Sequence, residues 1–544
     1  MSKERLSSID KVLLRTESPA NPMMVTGAMV FGDPLAFERL RETIEVRFLR
    51  YARFRQRVVQ PALPWRMPYW ELDPGFDLDY HLQRAVLPAP GNQAALQDLV
   101  SFLASTQLDL TKPLWQLHYI ERYRGGSALI CRLHHCMADG VSLVQVLLSL
   151  ADAGSPRPEN AQPQLENAQH KPGRLRALAG RARARYVGRR RAARKLVRGG
   201  LSLLSHPARA VDLMRMGTRA ATTLGNLALM PPDPTTTFRG KMDVSKRAVW
   251  SATVPLDEVK AIGRRMGGTV NDILLTAMTG ALQAYLQGQG EWQDGITLRA
   301  AVPVNMRPPG TGVELGNRIG MVFLALPVGL ADPAERLREL KRRMDELKGS
   351  LEPPLTYSLL HAIGAVPAPI QNVLIDFLGT KASALMTNVT GPREPIYLAG
   401  APLESLMFWV PQSGGVGLGV SILSYAGQVR LGVLVDEGLV PDPEEIVAAF
   451  HAEFETLLDQ AQKLEETYSA SDLSAMLDDA LATLDMLVAG GVAPAGTDVA
   501  NSPARCKART LAGRRCKNRS LSDTDYCHIH QRLSPTESAG ESSV

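Results

Sequence analysis

A seven-residue stretch, His134-His135-Cys136-Met137-Ala138-Asp139-Gly140, joins two segments of different periodicity. Before it, the apolar run Ser127–Leu133 reads as a buried strand. After it, Ser142–Ala153 carries apolar residues at helical spacing. A strand running straight into a helix suits an α/β (α+β) fold. It also sets two adjacent imidazoles and a carboxylate in the connecting loop.

That loop has the composition of a catalytic site. An unperturbed imidazole titrates near 6.5 (an approximate value), so it is mostly neutral at pH 7. A neutral ring nitrogen can take the proton of an alcohol as its oxygen attacks a carbonyl, a step worth roughly a hundred- to ten-thousandfold. Spacing alone leaves open which His does this. The alternative is a structural or metal-binding pair. Adjacent strand residues point to opposite faces, so they rarely share one metal, and no other His or acid stands nearby at a familiar ligand spacing. Cys136 is an alternative nucleophile supported only by its proximity. The chain has no Gly-x-Ser-x-Gly elbow to suggest a nucleophilic serine.

At 544 residues the chain has room for more than two ordinary domains, and 45% hydrophobic against 21% charged residues suits a globular protein with real cores. The start, Met1-Ser2-Lys3-Glu4-Arg5, lacks the apolar run of a signal peptide. No stretch of about 20 residues is apolar enough for a spanning helix. The nearest, Leu355–Leu378, contains His361, two prolines, Gln371, Asn372 and Asp376 and reads as core helices with a break. Five cysteines, an odd number without an export signal, point to a reducing compartment. The expected location is cytoplasmic, with a peripheral place at the inner membrane or lipid inclusions.

Five segments follow. Residues 1–154 mix strands and helices and end just beyond the His motif. Residues 155–238 form a basic connector: Lys171–Gly200 holds twelve Lys or Arg, and no acid lies between Glu166 and Asp212. It reads either as a solvated helical linker or as a helix on an anionic membrane or lipid-droplet surface. The single aromatic of Lys171–Gly200, Tyr186, and the lack of a recognition motif argue against nucleic acid. Residues 239–465 form a second α/β region. Ile296–Met306 and Met321–Val328 read as strands. Asp332-Pro333 opens a helix with stripe Leu337, Leu340, Met344 and Leu347 and Gly349 past its end. Val416–Tyr425 and Val429–Asp436 form a hairpin about Ala426-Gly427-Gln428, and Asp442-Pro443 caps a helix with Ile446, Phe450, Phe454 and Leu457 on one face. Residues 466–500 are a linker. Residues 501–544 are a tail in which Cys506, Cys516, Cys527 and His530 could hold a structural zinc as a Cys3His site, with His528 as a substitute ligand.

His134-His135-x3-Asp139-Gly140 resembles the HHxxxDG signature of CoA-dependent acyltransferases built like chloramphenicol acetyltransferase. The surroundings resemble the bacterial wax ester synthase/diacylglycerol acyltransferase family in particular. Leu6-Ser7-Ser8-Ile9-Asp10, Pro22-Met23-Met24-Val25, Pro113-Leu114-Trp115, Val270-Asn271-Asp272, Val302–Arg307, Gly316-Asn317 and Thr387–Pro392 fall in the family's order, over about 1–465. Two departures bear on substrate preference. Met23-Met24 stands where Met-His is common, and Thr387 and Thr390 replace Ser and Pro.

The resemblance implies two chloramphenicol-acetyltransferase-like domains in a pseudo-dimeric sandwich with a tunnel between them. It implies that His135 is the general base and His134 its support. Asp139 would pair with an arginine to shape the loop, and Gly140 would permit a tight turn and close approach of substrate. Asn271 and Asp272 would help form the site and meet substrate, and Pro113, Leu114 and Trp115 would border the acyl channel. Read alone, Asn271-Asp272 could simply cap a helix. The implied reaction passes a fatty acyl group from acyl-CoA, a co-substrate, to diacylglycerol or a long-chain alcohol. No catalytic cofactor and no acyl-enzyme are implied. A polyketide diol or glycolipid acceptor, or a non-catalytic lipid-surface protein, are the alternatives. Nothing in the sequence speaks to oligomeric state.

Overall fold

Helix α1 (Ser8–Thr16) begins at a reciprocal cap: the Ser7 hydroxyl accepts from the Asp10 N–H at 3.0 Å, and the Asp10 carboxylate accepts from the Ser7 N–H at 3.4 Å. Strand β1 (Met24–Phe31) follows, almost wholly buried. Asn92 caps α2 (Gln93–Ser105). Strands β2 (Trp115–Tyr123) and β3 (Gly126–His134) form a hairpin over Arg124 and Gly125, both at positive φ (51° and 85°). A two-residue turn of that hand matches the twist of its strands. Helix α3 (Gly140–Leu150) leaves the His loop. The apolar run and the helical spacing on either side of that loop thus fold as expected.

The second half begins with β4 (Lys246–Trp250) and the long α4 (Val270–Gly288), buried on nearly every side. Strands β5 (Leu298–Asn305) and β6 (Ile319–Leu326) fall where strands were expected. Helix α5 (Pro333–Lys348) starts at Asp332, whose carboxylate accepts from the Glu335 N–H at 2.7 Å. Of its stripe, Leu337 and Leu340 are fully buried while Met344 and Leu347 pack at the edge. Then come α6 (Glu352–Ala365), α7 (Ala368–Gly379), β7 (Ala384–Thr390), β8 (Ala401–Trp409) and the hairpin β9 (Leu418–Tyr425) and β10 (Gln428–Asp436). A last helix, α8, spans 443–465 and buries Ile446, Phe450, Phe454 and Leu457.

This computed structural model describes residues 3–61, 67–152, 222–223, 225–308 and 315–465. All lie in one compact unit, Met1–Thr467. The basic run 171–200, the linker 466–500 and the tail with Cys506, Cys516, Cys527 and His530 lie outside the described residues.

Two larger sheets carry the fold. The first has the order Tyr397–Leu398, β8, β1, β3, β2, Leu82–Ala85. The second runs β6, β5, β7, β9, β10, β4, with Val254–Pro255 also paired to β10. Strand β8 comes from the stretch expected to form the second domain, yet it completes the first sheet, pairing antiparallel with β1 (Trp409 opposite Thr26). The two halves therefore share a sheet. In the second sheet β7 lies parallel between β5 and β9, which delivers Asn388 and Val389 to its end. Among the described residues no helix is long and apolar enough to cross a membrane.

One expectation needs correction. Leu355–Leu378 does break, between α6 and α7, but α7 is not a core helix. Ile370, Val373 and Phe377 are exposed (53%, 67% and 41%), and only Gln371 is fully buried. Apolar content predicts a helix that wants cover; it does not say whether this chain supplies that cover on every side.

A buried ion pair closes the second sheet. Lys246 on β4 donates to Asp436 at the end of β10 at 2.5 Å, both side chains being almost inaccessible. Burial pushes the Lys246 pKa down, against the pull of Asp436. Removing one partner of such a pair strands the other charge at a cost of about 3–5 kcal/mol. Lys246→Met is expected to destabilise on that scale in chemical denaturation. The double variant Lys246→Met/Asp436→Leu should recover most of the loss.

Candidate active site

His134, the last residue of β3, is fully buried. Its Nδ1 accepts from the Cys136 N–H at 3.1 Å, and its Nε2 lies 3.6 Å from the buried Glu17 carboxylate. An accepting Nδ1 leaves the proton of the neutral ring on Nε2. Only Nδ1 is hydrogen-bonded; Nε2 is buried beside Glu17, beyond hydrogen-bond distance, and faces neither cavity described below. His134 N–H also donates to the Leu114 carbonyl at 3.0 Å. The Pro113-Leu114-Trp115 segment thus fastens the end of the His strand.

His135 turns the other way. Its backbone N–H donates to the Met23 carbonyl at 2.7 Å, and its carbonyl accepts from Asn317 Nδ2 at 2.7 Å. The ring lines an apolar cavity of about 200 Å³ with Ile9, Leu13, Met23, Met321 and Leu378. Its Nδ1 is buried and has no hydrogen-bond partner, leaving Nε2 as the nitrogen open to the cavity. Burial holds the His135 pKa below its usual value. Its own backbone, Asp139 and Asn317 push weakly the other way. The alternation of side chains along a strand end thus gives the two rings different surroundings: one is packed in the interior, the other lines a cavity.

Asp139 shapes the loop between them. One carboxylate oxygen accepts from the Ser142 N–H and hydroxyl, both at 3.0 Å, capping α3. The other accepts from the Arg307 guanidinium and from the Arg318 N–H at 3.2 Å. Arg307 also donates to the Gly316 carbonyl at 2.6 Å, and the Gly316 N–H donates to the Met137 carbonyl at 3.0 Å. Gly316 sits at φ +103°, a conformation that side chains resist. The expected arginine partner of Asp139 is thus Arg307, from the second half of the chain.

Of the two parts expected of Gly140, the tight turn is not one it plays. It has no positive φ, so no tight turn requires it. A Cβ there would meet only Val389 Cγ2 at 3.8 Å. Its bare Cα instead faces a second apolar cavity, of about 130 Å³, shared with Trp115, Leu133, Leu147, Val389 and Leu398. Of the three residues expected to border a channel, Trp115 lines this cavity while Pro113 and Leu114 are buried beside it.

The Asn271-Asp272 pair divides. Asp272 is fully buried and its carboxylate caps α4, accepting from the Thr269 N–H and hydroxyl at 2.8 Å. This corrects the expectation that it meets substrate. Asn271 stays half-exposed and its side-chain oxygen accepts from Asn388 Nδ2 at 2.9 Å. The residue after Asn388 is the Val389 that faces Gly140.

The thiols are inert. Burial drives Cys136 well above the ordinary range and pushes Cys131 up to about 12. Neither supplies a thiolate near neutral pH. Among the described residues no cluster of three or more His, Cys, Asp or Glu could hold a metal. Sequence reasoning missed Glu17, for which no signal existed. It quoted Asp10, Arg307 and Asn317 in their motifs but gave them no role.

Two family models match this chain. The wax ester synthase/diacylglycerol acyltransferase catalytic domain matches residues 6–274, and the WS/DGAT C-terminal domain matches 315–458. A Mycobacterium tuberculosis protein named as a diacylglycerol O-acyltransferase is 26% identical over 451 residues, 81% of this chain and 93% of that protein. A second from the same organism, named for the same activity, is 29% identical over 467 residues, 83% and 95% respectively. Among solved structures, the wax ester synthase/diacylglycerol acyltransferase from Marinobacter aquaeolei VT8 aligns with a TM-score of 0.60 at 22% identity, over 84% of this chain and all of that one. The first condensation domain of the calcium-dependent antibiotic synthetase aligns at 0.53 and 14% identity, over 85% and 96%. At these identities the structural likenesses speak to fold alone.

The double duty of Asp139 can be separated by substitution. Asn still caps a helix, whereas Ala does not. Asp139→Asn should lose the charge on Arg307 but keep the cap, and Asp139→Ala should lose both. Denaturation should find Asp139→Ala less stable than Asp139→Asn by about 1 kcal/mol, the usual worth of a cap. Equal stabilities would show the cap to be idle.

Proposed function

The chain belongs to the wax ester synthase/diacylglycerol acyltransferase family, and on that footing we propose that it moves a fatty acyl group from acyl-CoA to the hydroxyl of diacylglycerol or of a long-chain alcohol. The observation that carries this reading is the asymmetry of the His pair: the His135 ring lines an apolar cavity, whereas the His134 ring is fully buried.

The reaction would run without an acyl-enzyme, a reading supported by the buried, protonated thiols. His135 Nε2 takes the hydroxyl proton as the alcohol oxygen attacks the thioester carbonyl. The C–O bond forms, the C–S bond breaks, and the CoA thiolate leaves and collects the proton from the imidazolium. Asp139 and Arg307 hold the loop during this step and touch neither substrate. The His135 cavity has walls from α1 in the first half and from β5, β6 and α7 in the second. This supports the reading of a channel between two acetyltransferase-like halves. The second cavity, lined in part by Gly140, suits a second hydrocarbon chain. The Cys3His tail is a reading of spacing alone and enters no step.

Both lipid substrates live at an interface, and we place this protein peripherally on one. Two features support that placement. Ile370, Val373 and Phe377 make an exposed apolar stripe on α7, while Ile375 and Leu378 of the same helix line the His135 cavity. The run of twelve cations in 171–200 would add attraction to anionic lipid.

Purified chain with labelled palmitoyl-CoA should acylate diacylglycerol or hexadecanol. A product formed only on a trehalose acceptor would transfer the reading to glycolipids. His135→Ala should lower turnover by roughly a hundred- to ten-thousandfold; wild-type turnover in that variant contradicts the assignment. The neutral ring is the active form and burial lowers its pKa, so the neutral form persists to lower pH. The acid limb of kcat/KM should therefore fall below about 6.5. Ile370→Glu/Val373→Glu should weaken sedimentation with anionic vesicles. Unchanged sedimentation would rule out α7 as the contact.

A further inference from the structure

Three segments far apart in sequence meet behind His135. Asn317, 4% exposed, comes from the loop ahead of β6. Asp10, 3% exposed, comes from the first turn of α1. One Asp10 carboxylate oxygen accepts from both the backbone N–H (3.1 Å) and Nδ2 (2.8 Å) of Asn317. The same Nδ2 donates at 2.7 Å to the carbonyl of His135 itself. Asp10 is in turn fixed by its reciprocal cap with Ser7. The result is a buried chain of hydrogen bonds, carboxylate to amide to catalytic backbone.

Two polar atoms at this junction have no partner. They are Oδ1 of Asn317, an acceptor, and Nδ1 of His135. For Nε2 to accept a proton from an alcohol, the single proton of the neutral ring must sit on Nδ1. Once Nε2 is protonated, the ring is a cation and its Nδ1–H becomes a stronger donor. A buried donor without an acceptor costs roughly 1–3 kcal/mol, more when charged.

We propose that Asn317, anchored by Asp10, is a positioning residue for His135: its Nδ2 fixes the loop carbonyl and its Oδ1 receives Nδ1–H as the ring becomes charged. This inference rests on His135 being the base. The Asn317 side chain already acts to raise the basicity of the His135 ring, against the larger effect of burial. Asn317 touches no cavity-facing atom of the reaction. It acts through the ring, selecting the tautomer and steadying the imidazolium. Misplacing a catalytic group by about 1 Å can cost about a hundredfold in rate.

The test compares wild type, Asn317→Ala, Asp10→Asn and His135→Ala for transfer from palmitoyl-CoA to hexadecanol across pH. Asn317→Ala should lower kcat by up to about a hundredfold with KM close to wild type. Its acid limb should move to lower pH, because an interaction that raised the His135 pKa is gone. The milder Asp10→Asn keeps shape and fold; it should lose less kcat and shift the limb the same way. Wild-type kcat in both variants, or a loss with an unmoved limb, overturns the proposal in favour of a purely structural stitch. His135→Ala reads the premise separately. If it retains full turnover, the reading of the base fails whatever the other variants do. If it is inactive while Asn317→Ala is normal, only the positioning role fails.

Discussion

The carboxylate of Asp139 joins two demands that would otherwise conflict. One oxygen closes the first turn of α3, and the other takes a guanidinium from a strand end some 170 positions later. Both partners are almost inaccessible, so neither charge can be left alone without a cost of several kcal/mol. The short loop carrying both histidines is therefore pinned at its downstream end to the second half of the molecule. Its upstream end is pinned by β3, where Leu114 and Met23 hold successive backbone N–H groups. A stretch of six residues, His134 to Asp139, fixed at both ends leaves His135 little freedom to wander.

With the loop fixed, the different surroundings of the two rings follow from strand geometry. Two consecutive residues point apart. One ring goes into the protein, where a backbone N–H donates to its Nδ1 and a buried carboxylate lies near its Nε2. The other goes into an apolar cavity, where burial opposes its protonation. A base that stays neutral at neutral pH is what abstraction from an alcohol requires. The shared first sheet serves the same end. Because β8 crosses to pair with β1, both halves bear on the loop as one body.

Much of this was legible from residues alone. The apolar run of β3, the helical spacing of α3 and the capped start of α5 are local signals, and they fold as read. The family motifs pointed to the loop described here because each is a short, ordered string. What sequence could not give was everything that depends on cover or on distance. Helix α7 is apolar enough to read as core, but its outer stripe meets solvent, since periodicity describes one helix and not its neighbours. Gly140 looked like a turn glycine, yet its backbone is ordinary and its empty Cα faces a cavity. Asp272 reads equally as ligand or cap until Thr269 is seen to hold it. The link from Asp10 to Asn317 spans 307 positions and leaves no local trace.

The most direct measurement is the protonation of the His135 ring itself, followed by NMR on protein with 15N-labelled imidazoles and assigned with His135→Gln. The account predicts a midpoint below about 6.5, with the neutral proton on Nδ1. A midpoint at or above about 7, or a neutral ring carrying its proton on Nε2, would contradict it.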